Sequence, residues 1–138
     1  MQQTVMINTR PQDAYRRQDI LTANSIDLIV MLYDALKKNT ILGRKGIIKK
    51  DVQTAHKHLI KAQEIVSELI NSLDMNYQIS EELFALYEFI LRNLQDANQQ
   101  KNQELLEPVI DMVDDLRSAW YEISMSNKGN LYVGEEQD

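Results

Sequence analysis

The chain has 138 residues, 43% of them hydrophobic and 26% charged, with a formal net charge of −6. That balance fits one ordinary globular domain with its own core and argues against nucleic-acid binding as a default function. There is no cysteine, which excludes a disulfide framework and a thiolate metal site and leaves both redox compartments open.

Four glycines and two prolines leave few breaks, which favours long helices over a sheet rich in turns. The opening "MQQTVMINTRPQ" lacks the basic and apolar regions of a secretion signal. No apolar run approaches the ~20 residues of a membrane span. The expectation is a soluble cytoplasmic protein without membrane insertion. Charge is distributed unevenly. Residues 37–61 hold eight Lys or Arg against Asp51 alone, and residues 62–138 hold sixteen acids against four bases. A basic stretch beside acidic helices either cancels in part or steers a charged partner.

In chain order, residues 1–12 read as a flexible tail, and "DAYRRQDILTA" as a short segment of one or two helical turns. The first long helix is expected from Asn24, an N-cap with Asp27 as capping-box partner, to about Gly43, where "GRKG" ends it. Within it, "LIVMLYDALKKNTIL" carries more apolar residues than one face can use. Leu28, Ile29, Leu32, Tyr33 and Leu36 fill half the wheel, and Met31, Ala35 and Leu42 continue round one edge. A surface helix needs one apolar stripe, so this helix must be covered on several sides.

The second helix opens at Asp51. Val52, Ala55, Leu59, Ala62, Val66, Leu69 and Leu73 alternate steps of three and four, the seam of a bundle helix. Ile60, Ile65 and Ile70 widen the stripe. Ser80 is expected to cap the third helix, with Ile79 and Phe84 as a hydrophobic staple and Leu83, Tyr87, Ile90, Leu94 and Ala97 as its seam. The fourth is expected from about Asn102, with seam Leu106, Val109, Val113, Leu116, Trp120 and Ile123. Pro108 predicts a kink or a delayed start. "SMSNKGNLYVGEEQD" reads as a flexible C-terminal tail. The fold class is therefore all-α: an antiparallel four-helix bundle with a short N-terminal helical segment and flexible tails, its single domain spanning 13–124.

Enzymatic chemistry is not legible. His56 and His58 lack the Glu three residues before them that a di-iron bundle needs. No nucleophile–base set is visible, and "GRKGIIKK" lacks the Gly-Lys-Ser/Thr end of a phosphate loop. No catalytic residue, cofactor or metal is expected. The alternative function is histidine phosphotransfer through His58, since phosphotransfer bundles carry an exposed helical His followed by Lys and a small residue, here Lys61 and Ala62.

"YRRQDILTANSIDLIVMLYDAL" resembles the start of the flagellin-specific export chaperones of the FliS family, through Tyr15, Thr22, Ala23, Leu28, Met31, Leu32, Tyr33 and Asp34. "LIKAQEIVSELINSLD" is similar to the family's second helix. "LFALYEFILRNLQDAN" resembles its third through Leu86, Tyr87, Leu94, Ala97 and Asn98, and "LRSAWYEI" the close of its fourth through Leu116, Arg117 and Trp120. Asn24-Ser25 stands where the family has Ser-Pro, and Ala35 where it has Gly. The resemblance spans residues 15–123 and all four helices in order.

What it implies is a chaperone that binds the disordered C-terminal segment of flagellin in the cytoplasm, prevents premature polymerisation and delivers it to the cytoplasmic domain of the flagellar export gate. Cargo would lie in grooves between helices. The implied partner-binding residues are Met31, Tyr33, Ile65, Ile70, Tyr87, Leu91 and Asn98. Of these Tyr33, Tyr87, Ile65, Ile70 and Leu91 serve either core or contact. Tyr15 and Ile20, ahead of the main helix, suit a movable cover or a partner contact.

Overall fold

The apolar seams spaced by threes and fours become buried faces in the computed structural model, which describes residues 25–137, with side chains for residues 26–126. Among the described residues there are four helices and no strand: α1 (Ser25–Ile48), α2 (Val52–Asn71), α3 (Gln78–Gln100) and α4 (Glu107–Gln137), with a 3-10 turn at Gln103–Leu106. This is the expected all-α bundle. The 1–12 tail, the "DAYRRQDILTA" segment, Tyr15, Ile20 and the cap at Asn24 lie outside the described residues.

α1 packs between α2 and α4, while α3 packs on α2. That central place explains the surplus of apolar residues on α1. Tyr33 and Leu36 are fully buried, and Ile29, Leu32 and Ala35 are partly buried against the same core. The core continues through Leu59, Ala62, Val66 and Leu69 of α2, Leu83, Tyr87, Ile90 and Leu94 of α3, and Val109 and Val113 of α4. Val52 and Ile123, the outermost seam positions, are largely exposed.

Polar pairs fix the register of α1 against α4. Asp27 accepts from Ser124, Arg117 Nε donates to Asp34 Oδ1 at 2.8 Å, Lys37 meets Asp114 at 2.6 Å and Arg44 meets Glu107 at 3.0 Å. The two residue numbers in each pair add to the same total, as antiparallel rods require. Exposed pairs of this kind contribute little stability each; their consequence is alignment.

α1 does not end at Gly43 but runs more than a turn further, to Ile48. The two glycines that read as a stop are places where α2 crosses α1 closely. A Cβ on Gly43 would lie 2.5 Å from Leu59 Cδ2, and one on Gly46 would lie 2.7 Å from the backbone nitrogen of Ala55. Ser80 does not cap α3 either. The cap is Tyr77, without a side-chain bond, and Ser80 is buried in the first turn, its hydroxyl donating to the Asp74 carbonyl at 2.6 Å. With the start moved back, Ile79 leaves the staple position and is exposed. Pro108 is the second residue of α4, after the 3-10 turn, where its missing N–H has no helical partner to lose. The delayed start is the observed outcome. α4 also stays helical to Gln137, beyond the limit near Ile123 that the seam suggested. No proline follows Pro108, and a glycine inside a helix costs only about 1 kcal/mol.

Asp51 caps α2 as expected, accepting from the Thr54 N–H at 3.1 Å and the Thr54 hydroxyl at 2.6 Å. The hydroxyl, then the backbone N–H, holds this carboxyl below its ordinary range. A depressed folded pKa gives stability that is present above the unfolded value, about 3.9, and is lost as pH falls through the folded value. Asp51→Ala should therefore melt below the parent chain at neutral pH, and the two melting temperatures should converge as the pH drops below about 4. Thermal unfolding followed by circular dichroism checks this.

Candidate functional site

α3 and α4 touch each other only sparsely, although each packs well elsewhere. Side chains facing the gap are therefore left partly uncovered. On α3, Ile79, Leu83, Tyr87 and Leu91 recur every four residues and share one face. On α4, Met112, Leu116 and Trp120 do the same. Leu91, Met112, Leu116 and Trp120 are all partly buried. The α3 row is about 18 Å long at 1.5 Å per residue.

The furrow deepens at the end where α1 begins. There a cavity of about 170 Å³ is lined by Ile29, Ser72, Leu73, Asp74, Tyr77, Ile79, Ser80, Leu83, Tyr87 and Trp120. Its polar members are largely satisfied from within. The Ser72 hydroxyl donates to the Leu69 carbonyl at 2.7 Å and Ser80 to the Asp74 carbonyl. Beside the exposed Ser72 and Asp74, two large apolar members are open, Ile79 at 55% and Tyr77 at 64%; Met75, two residues before Tyr77, and Ile123, three after Trp120, are also exposed. Exposed apolar side chains grouped in this way mark an interaction site.

Beneath it lies a buried hydroxyl pair. Tyr33 Oη and Tyr87 Oη are 2.6 Å apart, their rings tilted at 53° with centroids 6.5 Å apart. One hydroxyl donates to the other, so each phenol has its partner within the core. Burial first, then the Tyr87 bond, pushes the Tyr33 phenol far above its ordinary range, and burial pushes Tyr87 up too. Both stay neutral. Tyr33→Phe would leave the buried Tyr87 hydroxyl unsatisfied, for an expected loss of about 1–2 kcal/mol. Tyr33→Phe/Tyr87→Phe should lose less than the sum of the single changes, as a double-mutant cycle of urea unfolding would show.

Residues 6–127 match the family described as "Flagellar protein FliS". The chain belongs to the FliS family. It is 32% identical over 118 residues to the flagellar secretion chaperone FliS of Bacillus subtilis (strain 168), covering 86% of this chain and 89% of that protein. The flagellar secretion chaperone FliS of Vibrio cholerae is 28% identical over 116 residues, covering 80% and 85%. That of Salmonella typhimurium is 27% identical over 108 residues, covering 76% and 80%. FliS is a chaperone family and not an enzyme family. No described helix is long and apolar enough to cross a membrane.

Of the expected partner-binding residues in this FliS-family chain, Tyr33, Ile65 and Tyr87 are buried in the core, and Tyr87 also lines the cavity. Ile70 and Leu91 are partly buried against it, and Met31 is 46% exposed. Asn98 is buried away from the furrow, its Nδ2 3.0 Å from His56 Nδ1. His58 is half-buried with Nδ1 3.0 Å from Asn39 Oδ1. Ala62, the small residue a phosphotransfer partner would need exposed, is fully buried. Sequence reasoning placed Trp120 in the core and missed Tyr77 and Met75. The available signal was three apolar residues, Met75, Tyr77 and Ile79, in a connection with no seam to join.

Proposed function

We propose that this chain binds the disordered C-terminal segment of flagellin in the α3–α4 furrow, in the cytoplasm. It thereby prevents premature polymerisation and carries the segment to the cytoplasmic domain of the flagellar export gate. The observation that carries this reading is that α3 and α4 barely touch, with Ile79 exposed and Leu91, Met112, Leu116 and Trp120 only partly buried along them. An amphipathic cargo helix laid between them completes the packing that α3 and α4 do not give each other. Ile79, Leu83, Leu91, Leu116 and Trp120 form the walls, with Tyr87 as floor. Met31, Ile70, Tyr15 and Ile20 are further proposed contacts, while Tyr33 supports the site from within through its bond to Tyr87. The names of the relatives, flagellar secretion chaperones, favour an export cargo.

The test is calorimetric titration with the last ~40 residues of the same organism's flagellin, long enough for a helix matching α3 and an extended approach. Saturable heat and a raised melting temperature are expected. Absence of both would refute the reading.

A further inference from the structure

The end of the bundle opposite the furrow holds a second concave feature. A cavity of about 360 Å³ is lined by Gly46, Ile47, Lys50, Val52 and Lys101, where the α1–α2 connection meets the end of α3. That volume is within the range of binding pockets. Its apolar lining is open, Val52 being 58% exposed.

Both lysines that line it have left-handed backbone, Lys50 at φ 60° and Lys101 at φ 53°. Each follows a helix end, where glycine is the usual residue because it has no Cβ to strain. Departures of this kind gather at binding sites. Lys101 Nζ is steered by the Asn98 carbonyl at 2.5 Å and Asn98 Oδ1 at 2.7 Å. Among the described residues, Lys50 has no side-chain hydrogen bond or ion pair, and neither Lys45 nor Lys49 meets a carboxylate. The nearby acids are largely committed: Asp51 caps α2 and Glu107 pairs with Arg44, leaving Glu104 exposed on the 3-10 turn. The balance at this end is cationic, although the whole chain carries −6.

We propose that this end docks an acidic segment of a partner protein, with an apolar side chain entering the cavity and flanking carboxylates meeting Lys50 and Lys101. Charge complementarity selects the acid. The concave shape selects a peptide over a bilayer, which cannot lodge one side chain. The length of α2 puts about 30 Å between this site and the deep cavity of the furrow, so the inference stands apart from the flagellin reading.

The experiment adds Ac-Glu-Glu-Leu-Phe-Glu-Glu-amide to the isotope-labelled chain and follows amide shifts by NMR. Saturable shifts centred on Gly46, Ile47, Lys50, Val52 and Lys101, weakened by salt, are expected. Lys50→Gly with Lys101→Gly should weaken binding roughly tenfold, as loss of two exposed ion pairs implies. Lys50→Gly alone should melt no lower than the parent, because glycine fits the left-handed position. That variant separates binding from folding. The proposal is overturned if no saturable shifts appear, or if Ac-Lys-Lys-Leu-Phe-Lys-Lys-amide shifts the same amides equally. It is equally overturned if the acidic peptide acts only at Leu83 and Trp120, or if phosphatidylserine vesicles shift these amides and the peptide does not.

Discussion

Gly46→Val is expected to destabilise the bundle by about 3 kcal/mol, the upper range for forcing atoms into a packed interior. A single Cβ at this position would already lie 2.7 Å from the Ala55 nitrogen and 2.9 Å from its Cα. The obstacle is backbone, which no rotamer change can clear. α1 and α2 must separate at their crossing, and Ala55 and Leu59, both fully buried, lose contact with α1. Valine gains some helix propensity over glycine, but by much less than the packing loss. The melting temperature should fall by roughly 10 °C for a chain of this size. Lys45→Val, one residue away on the exposed side of the same helix, should change stability by no more than about 0.5 kcal/mol. Equal effects at 45 and 46 would show that propensity, and not close approach, sets the outcome.

The second large effect concerns cargo. Ile79→Asp combined with Ile123→Asp should weaken flagellin binding about a hundredfold while leaving the melting temperature within a few degrees. Both residues are already exposed, at 55% and 43%, so the fold gives up little. Fully burying an isoleucine is worth about 1.5–3 kcal/mol, and each site here would contribute part of that in the complex. An aspartate in its place must also be desolvated against apolar surface. About 2.7 kcal/mol for the pair corresponds to a hundredfold change. Calorimetry of the variant with the flagellin segment measures it. A variant that binds as tightly as the parent would move the cargo away from this end of the furrow.

What the sequence makes legible follows from periodicity. The seams of α2, α3 and α4 needed only spacing by threes and fours. The cap at Asp51 and the late start at Pro108 follow from local chemistry of one or two residues. Gly43 and Gly46 were misleading because a glycine that stops a helix and one that admits a neighbouring helix look alike in one dimension. Only the crossing of α2 distinguishes them. Ser80 failed for a similar reason, since its hydroxyl had a competing acceptor in the Asp74 carbonyl. The furrow was least legible. Leu83, Leu94, Leu116 and Trp120 all belong to seams, and whether a seam residue is sealed depends on how closely α3 approaches α4. Beside the 3-10 turn, where Asn93 bonds the Leu105 carbonyl, Leu94 is fully buried; along α4 beyond it, Leu116 and Trp120 stay partly buried. Asn98 matched a family motif, yet its side chain bonds His56 and Lys101 inside the bundle.

Trp120 is the chain's single tryptophan, and it lines the deepest part of the furrow. Its emission therefore reports directly on whether a foreign helix occupies the gap between α3 and α4. Titration with a tryptophan-free flagellin C-terminal segment should give a saturable blue shift that tracks the calorimetric heat, as a half-wet indole is sealed from water. Heat of binding with an unmoved Trp120 spectrum would mean that the partner sits elsewhere and that the open furrow is not where cargo is held.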